Sequence, residues 1–175
     1  VRSLVRAANV IDSFIDWTGR LTSWCTLALV VLIAVEVVLR YTISLGAVWA
    51  QELEWHLLAV IALWGIAYTQ KEDAHVRVDI LFQTFSEKTQ NWIEFLTAVL
   101  VMVPVSFYIA WLAVRFVLQS YNMGEISPDP GGIPYRFVIK SFVLTGFLLL
   151  GIQSVAVALR KGARLIELYR HGHAA

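Results

Sequence analysis

The residues able to do chemistry in this 175-residue chain sit in or beside long apolar runs. An ionisable side chain in hydrocarbon is costly, so each is a functional candidate until a cheaper account is found. Glu36 and Arg40 stand four residues apart inside one apolar run. On a helix they share a face, about 6 Å apart along the axis. An internal ion pair that lets the helix insert, with Arg40 snorkelling outward, is the structural account. The chemical account is a Glu36 that carries protons or cations, or pairs with a neighbouring subunit. Trp49, Glu52, His56, Ala59 and Leu63 form a second stripe at three- and four-residue steps. Packing against another helix explains that stripe. A haem ligand at His56 is the alternative, but no other apolar run offers a second imidazole at matching depth. His75 lies between runs, and His171 and His173 fall in a charged tail where nothing completes a metal site. The lone Cys25 allows neither an intrachain disulfide nor a cysteine metal centre. Nucleophilic triads, phosphate-cradling glycine loops and metalloprotease helices leave no trace in the sequence. The expectation is a protein without catalysis, metal or cofactor.

The elements that position these residues follow from composition. Hydrophobic residues make up 58% of the chain and charged ones 15%, with a mean hydropathy of +0.67. Soluble domains run nearer to half apolar and about a quarter charged, so much of this surface is expected to face lipid. A hydrocarbon core of about 30 Å takes roughly 20 helical residues. Four runs fit, at about 21–41, 53–69, 92–118 and 137–159. The spacing predicts an all-α integral membrane protein, one domain over residues 1–175 with four transmembrane helices. Pro104 predicts a kink in the third. No removable signal is expected, because the first run is too long for a signal core. A net charge of +1 gives no basic excess for nucleic acid.

Lys and Arg outside the spans set the expected orientation. Arg2, Arg6, Arg20, Lys71, Arg77, Lys88, Arg160, Lys161, Arg164 and Arg170 fall on one side, and Arg40, Arg115, Arg136 and Lys140 on the other. Ten against four places both termini in the cytoplasm, and an even number of spans requires that they share a side. Residues 1–20 carry Arg2, Arg6, Asn9, Ser13, Asp16 and Arg20 opposite Leu4, Ala8, Ile11 and Ile15, with Val10, Phe14 and Trp17. That pattern predicts an amphipathic helix in the headgroup plane, with a cytoplasmic extension of the first span as the alternative. Residues 76–85 could form a second in-plane segment before Ser86 caps the third span. The outer connection 122–134, with Pro128, Pro130, Pro134 and two acidic side chains, predicts an ordered non-helical loop. Gly/Pro-broken spans and inverted repeats, which build transport sites at mid-membrane, are not evident. Such a chain suits the support of a partner better than solitary transport.

Arg40-Tyr41, Trp49-Ala-Gln-Glu52, Trp64-Gly-Ile-Ala-Tyr68 and His75-Val-Arg-Val-Asp79 occur in order around the first two spans. Gly124-Glu-Ile-Ser-Pro128 and Ile133-Pro134 precede the fourth. In these motifs and in the four-span plan, the chain resembles the DctQ-type small permease subunit of TRAP (tripartite ATP-independent periplasmic) transporters. The resemblance implies a complex with a large permease subunit and a periplasmic substrate-binding protein, importing organic acids on a sodium gradient. The large subunit would hold the substrate and sodium sites, and this chain would brace it. The longer loop is similar to systems labelled for mannitol or chloroaromatic acids. Carried onto the motif positions, Arg40, Trp49, Glu52, His75 and Asp79 become structural or partner-contact candidates. In that reading Arg40 and Trp49 anchor the outer interface, Glu52 accepts from a partner helix, and His75 to Asp79 fix the cytoplasmic turn. The rivals are a stand-alone proton-coupled exporter using Glu36, a haem- or quinone-bearing anchor subunit, and a membrane assembly factor.

Overall fold

The computed structural model describes residues 1–44, 46–73 and 82–171. Among them the chain is all helix and connecting loop. Helix α1 spans Arg2–Ile43, α2 Val48–Lys71, α3 Glu87–Thr97, α4 Val103–Asn122 and α5 Phe137–His171. A π-helical turn, Ala98–Met102, joins α3 to α4 without interrupting the rod. It stands immediately before Pro104, which has no N–H to give to the preceding turn. The kink expected at Pro104 thus takes the form of a widened turn. Ser86 caps α3, its hydroxyl accepting from the Thr89 N–H at 3.3 Å, as the sequence suggested. α1 ends on a left-handed residue, Ser44, whose N–H returns to the Leu39 carbonyl.

The burial pattern is that of a chain whose solvent is lipid. Buried positions are dominated by small or polar residues, among them Ala8, Thr18, Thr22, Ala67, Ser106, Ala110, Gln153, Ser154 and Ala156. The large apolar side chains point outward, with Trp24 69% and Leu100 66% exposed. Small residues at helix contacts let backbones approach closely, which is how helices associate when hydrophobic burial gives no net drive. Three stretches, Arg2–Ile43, Glu87–Asn122 and Phe137–Arg170, are long and apolar enough to cross a membrane. α2 does not join them, because Gln51, Glu52, Glu54 and His56 dilute the hydropathy of its first turns.

α5 packs against every other helix. Where α2 crosses it, a Cβ on Gly146 would meet the Leu63 carbonyl oxygen at 2.7 Å, so only glycine permits that approach. At the adjoining residues, the Trp64 indole donates to Thr145 Oγ1 at 2.9 Å and lies 5.4 Å from the Phe142 ring. The core beneath is Ile15, Ala67 and Leu149, flanked by Ile11 and Trp64. Towards the N-terminal end of α1, charge pairs take over. Asp12 meets Arg160 and accepts from Gln153 Nε2 at 3.1 Å; Asp16 takes Lys71 at 2.6 Å. Glu87 meets Arg164 at 2.8 Å, and Glu94 pairs with Lys161.

These contacts revise the expected in-plane helix at 1–20. Residues 2–20 are helical, but they run unbroken into the first span as one rod of 42 residues. Gly19, where a break could fall, instead leaves room for the Tyr68 ring of α2. The apolar set also divides. Ala8 and Ile15 are fully buried within the protein, whereas Val10, Phe14 and Trp17 remain exposed. Periodicity showed an apolar side but could not tell a protein neighbour from lipid. Most of the segment 76–85 lies outside the described residues.

Candidate functional site

The densest polar constellation is built around Glu52, on the second turn of α2 and only 5% exposed. Its carboxylate receives donors from three points of the loop that joins α4 to α5. Ser127 Oγ donates to Oε1, Arg136 Nη2 to Oε1 at 3.0 Å, and the Ile133 N–H to Oε2 at 2.5 Å. Ser127 Oγ is held in turn, accepting from the Asp129 N–H at 3.1 Å and from Arg136 Nη2 at 3.3 Å. A buried carboxylate is tolerated when charge-assisted bonds fill its lone pairs, and here they do. The helix N-terminus nearby adds its positive end.

The loop can reach Glu52 because of two glycines and a second clamp. Gly131 takes a φ of +83°, which side chains rarely adopt. A Cβ on Gly132 would meet Ser127 Cβ at 2.6 Å and Glu52 Oε2 at 2.7 Å, so this position must stay bare. At the base, the Arg136 N–H donates to the Glu125 carbonyl at 3.1 Å, while Lys140 of α5 pairs with the Glu125 carboxylate. The Lys140 ammonium holds the Glu125 carboxyl below the ordinary carboxylate range.

Of the residues singled out from sequence, the geometry joins some and separates others. Glu52 meets the Ser127 and Ile133 of the later motifs, so its acceptor role is filled by its own chain rather than a neighbouring helix. Glu36, 7% exposed, takes Arg40 Nη2 at 2.9 Å. Trp49 is exposed. His56 Nδ1 lies 2.6 Å from the Glu52 carbonyl, a bond back along its own helix. Cys25 and His56 line an apolar hollow of about 540 Å³ under Ile133, Pro134 and Tyr135. His75 and Asp79 lie outside the described residues, and so does His173. Among the described residues no group of three or more His, Cys, Asp or Glu could hold a metal ion. Sequence reasoning missed Arg136, Gly132 and the four charge pairs of the other end. Opposite charges assigned to the same side of the membrane, Glu52 with Arg136 and Glu125 with Lys140, were the available signal.

A loop pinned to a helix through its own backbone and side chains is an architectural device. Residues 29–164 match the family described as tripartite ATP-independent periplasmic transporters, DctQ component. The chain is 26% identical over 125 residues to the ectoine TRAP transporter small permease protein TeaB of Halomonas elongata, covering 71% of this chain and 63% of that one. It therefore spans less than two thirds of that relative. It is likewise 26% identical over 120 residues to a Haemophilus influenzae protein described as a TRAP transporter small permease, covering 69% of this chain and 74% of that one. No solved structure gives a match. With the family pattern across most of its length and three apolar helices able to cross a bilayer, this multi-pass membrane protein belongs to the DctQ family, the small permease components of TRAP transporters.

Proposed function

We propose that this subunit carries no cargo itself but braces the large permease subunit of a sodium-coupled transporter in the bacterial inner membrane. That transporter imports organic acids handed over by a periplasmic binding protein. Family membership supports a transporter complex, and the substrate class rests on the resemblance of the sequence motifs. The name of the Halomonas relative concerns ectoine in that organism, and the acid taken here is left to uptake assays. The observation that carries the bracing reading is where the polar groups point. Glu52, Glu36, Asp12, Asp16, Glu87 and Glu94 each meet a cation of this same chain. Apart from the Glu36–Arg40 pair, which lies within α1, side chains so engaged tie one element to another and do not line a path for solute. Glu36, ion-paired at 2.9 Å, is poorly placed for the proton relay of a solitary exporter.

In this reading α2 is also a span, the second along the chain, which brings the number to four. Its 24 residues reach about 36 Å, enough for a hydrocarbon core of about 30 Å, and its carboxylates are shielded by bonds within the bundle. An even count puts both termini on the side rich in Lys and Arg, the cytoplasm. Single cysteines at Asp129 and Arg170 test this with an impermeant thiol reagent on whole and opened cells, with Cys25 replaced by serine. Position 129 should label in cells whose inner membrane is intact, and position 170 only after opening. Labelling of both in intact cells contradicts the topology. Co-purification with the large subunit at one-to-one stoichiometry tests the partnership, and a subunit that always purifies alone contradicts it.

A further inference from the structure

Helix α1 has two unlike sides along its first six turns. Ala8, Ile15, Thr18, Gly19 and Thr22 face the bundle. Its carboxylates are engaged there, Asp12 by Arg160 and Asp16 by Lys71. The opposite side carries Arg6, Val10, Ser13, Trp17, Arg20 and Trp24 at three- and four-residue steps, all of them exposed. Elsewhere Arg40, Lys71, Arg136, Lys140, Arg160, Lys161 and Arg164 each have a carboxylate, while Lys88 stacks on the Tyr169 ring. Among the described residues, the arginines without one are Arg2, Arg6, Arg20, Arg115 and Arg170. Two of these five, Arg6 and Arg20, stand on the outer side of α1.

Positive charge interleaved with exposed indoles asks for a surface that is negative at the top and apolar beneath. Water does not fit, since Val10 and Trp17 are 67% and 61% exposed, and wetting them is unfavourable. A phospholipid headgroup layer fits both demands. Indole rings settle at headgroup level, guanidinium forks match phosphate oxygens, and anionic lipid attracts basic side chains close to it. An acidic protein surface would satisfy the arginines. Trp24, however, continues the same stripe into the apolar run that crosses the bilayer, which joins the charged stretch to hydrocarbon along one face.

We propose that this face of α1 binds the headgroups of anionic phospholipids, with Arg20 between Trp17 and Trp24 as its centre and Arg6 adding charge. The site belongs to the leaflet at the N-terminal end of α1, whichever compartment that end faces, so it stands or falls apart from the bracing role. The test is native mass spectrometry of the full chain in neutral detergent, given equal phosphatidylglycerol and phosphatidylcholine. The wild type should retain phosphatidylglycerol in preference. Arg20→Gln should cut the ratio about fivefold, and adding Arg6→Gln should cut it further. Arg6→Lys with Arg20→Lys should keep most of it, and Arg115→Gln, which removes equal charge elsewhere, should leave it unchanged. Should the double glutamine variant fail to fold, the single Arg20→Gln decides. A wild type without preference, a glutamine variant that keeps it, or an equal loss in Arg115→Gln overturns the proposal. So does a glutamine variant with unchanged lipid ratio that no longer holds the large permease, which would make the face a protein interface.

Discussion

At Glu52 a single carboxylate decides the shape of a whole loop. Its three donors come from a hydroxyl, a guanidinium and a backbone N–H spread over ten residues of sequence, 127 to 136. Glu52→Ala leaves the Arg136 charge and the Ile133 N–H without their acceptor. The expected cost is about 2–4 kcal/mol of stability, read as a lower thermal midpoint in detergent and as new protease cleavage within the loop. Gly132→Ala should do similar damage for a steric reason, about 1–3 kcal/mol, although it removes no bond. A Gly132→Ala protein with an intact loop would show that the loop yields more easily than its contacts suggest. The Glu125–Lys140 pair adds a pH dependence. Because the folded Glu125 carboxyl is held below its ordinary value of 4.5, its contribution is present above that value and lost as pH falls through the folded one. The difference in midpoint between wild type and Lys140→Gln should therefore be largest near neutrality and shrink in acid. The sequence displayed these residues without their connections: Glu52 and Ser127 both stood in motifs, but 75 residues separate them, and only the fold brings them together.

Among the helices, α5 is the mast to which the others are tied, by small residues at mid-length and by charge pairs near its C-terminal end. Replacing Gly146 by valine should force α2 away from α5 and lower the midpoint more than the same change at Gly46, which has open space around its Cβ. For Asp12 and Arg160, either single charge reversal should destabilise, while the double reversal recovers part of the loss in a thermal scan. Additive losses would mean the two side chains do not act as a pair. The existence of the helices was legible from the sequence, because a long apolar run in lipid must satisfy its backbone internally and a helix does so; Ser86 announced the start of α3. The continuity of α1 stood in the sequence only as the alternative to an in-plane helix. A polar stripe at 1–20 has the same period whether its apolar side meets lipid or a neighbouring helix, and only the partners of Ala8, Ile15 and Asp12 separate the cases. The fate of Pro104 was half legible: a missing N–H demands a local adjustment, but not which one.

For the molecule as a whole, the central claim is that a chain whose carboxylates mostly meet its own cations, with a buried oxygen of Glu54 the exception, serves as a fixed support in a larger transporter. Under the proposed function, its exposed apolar surface would meet lipid and the large subunit, and its pinned outer loop would present a fixed surface to the binding protein. The most direct test is uptake into proteoliposomes with an imposed sodium gradient, comparing this chain alone, the large permease alone, both together, and both with the binding protein and its acid. The account predicts no uptake by this chain alone and full uptake only with all three components and sodium. Sodium- or proton-driven transport by this chain without partners, abolished by Glu36→Gln, would contradict it.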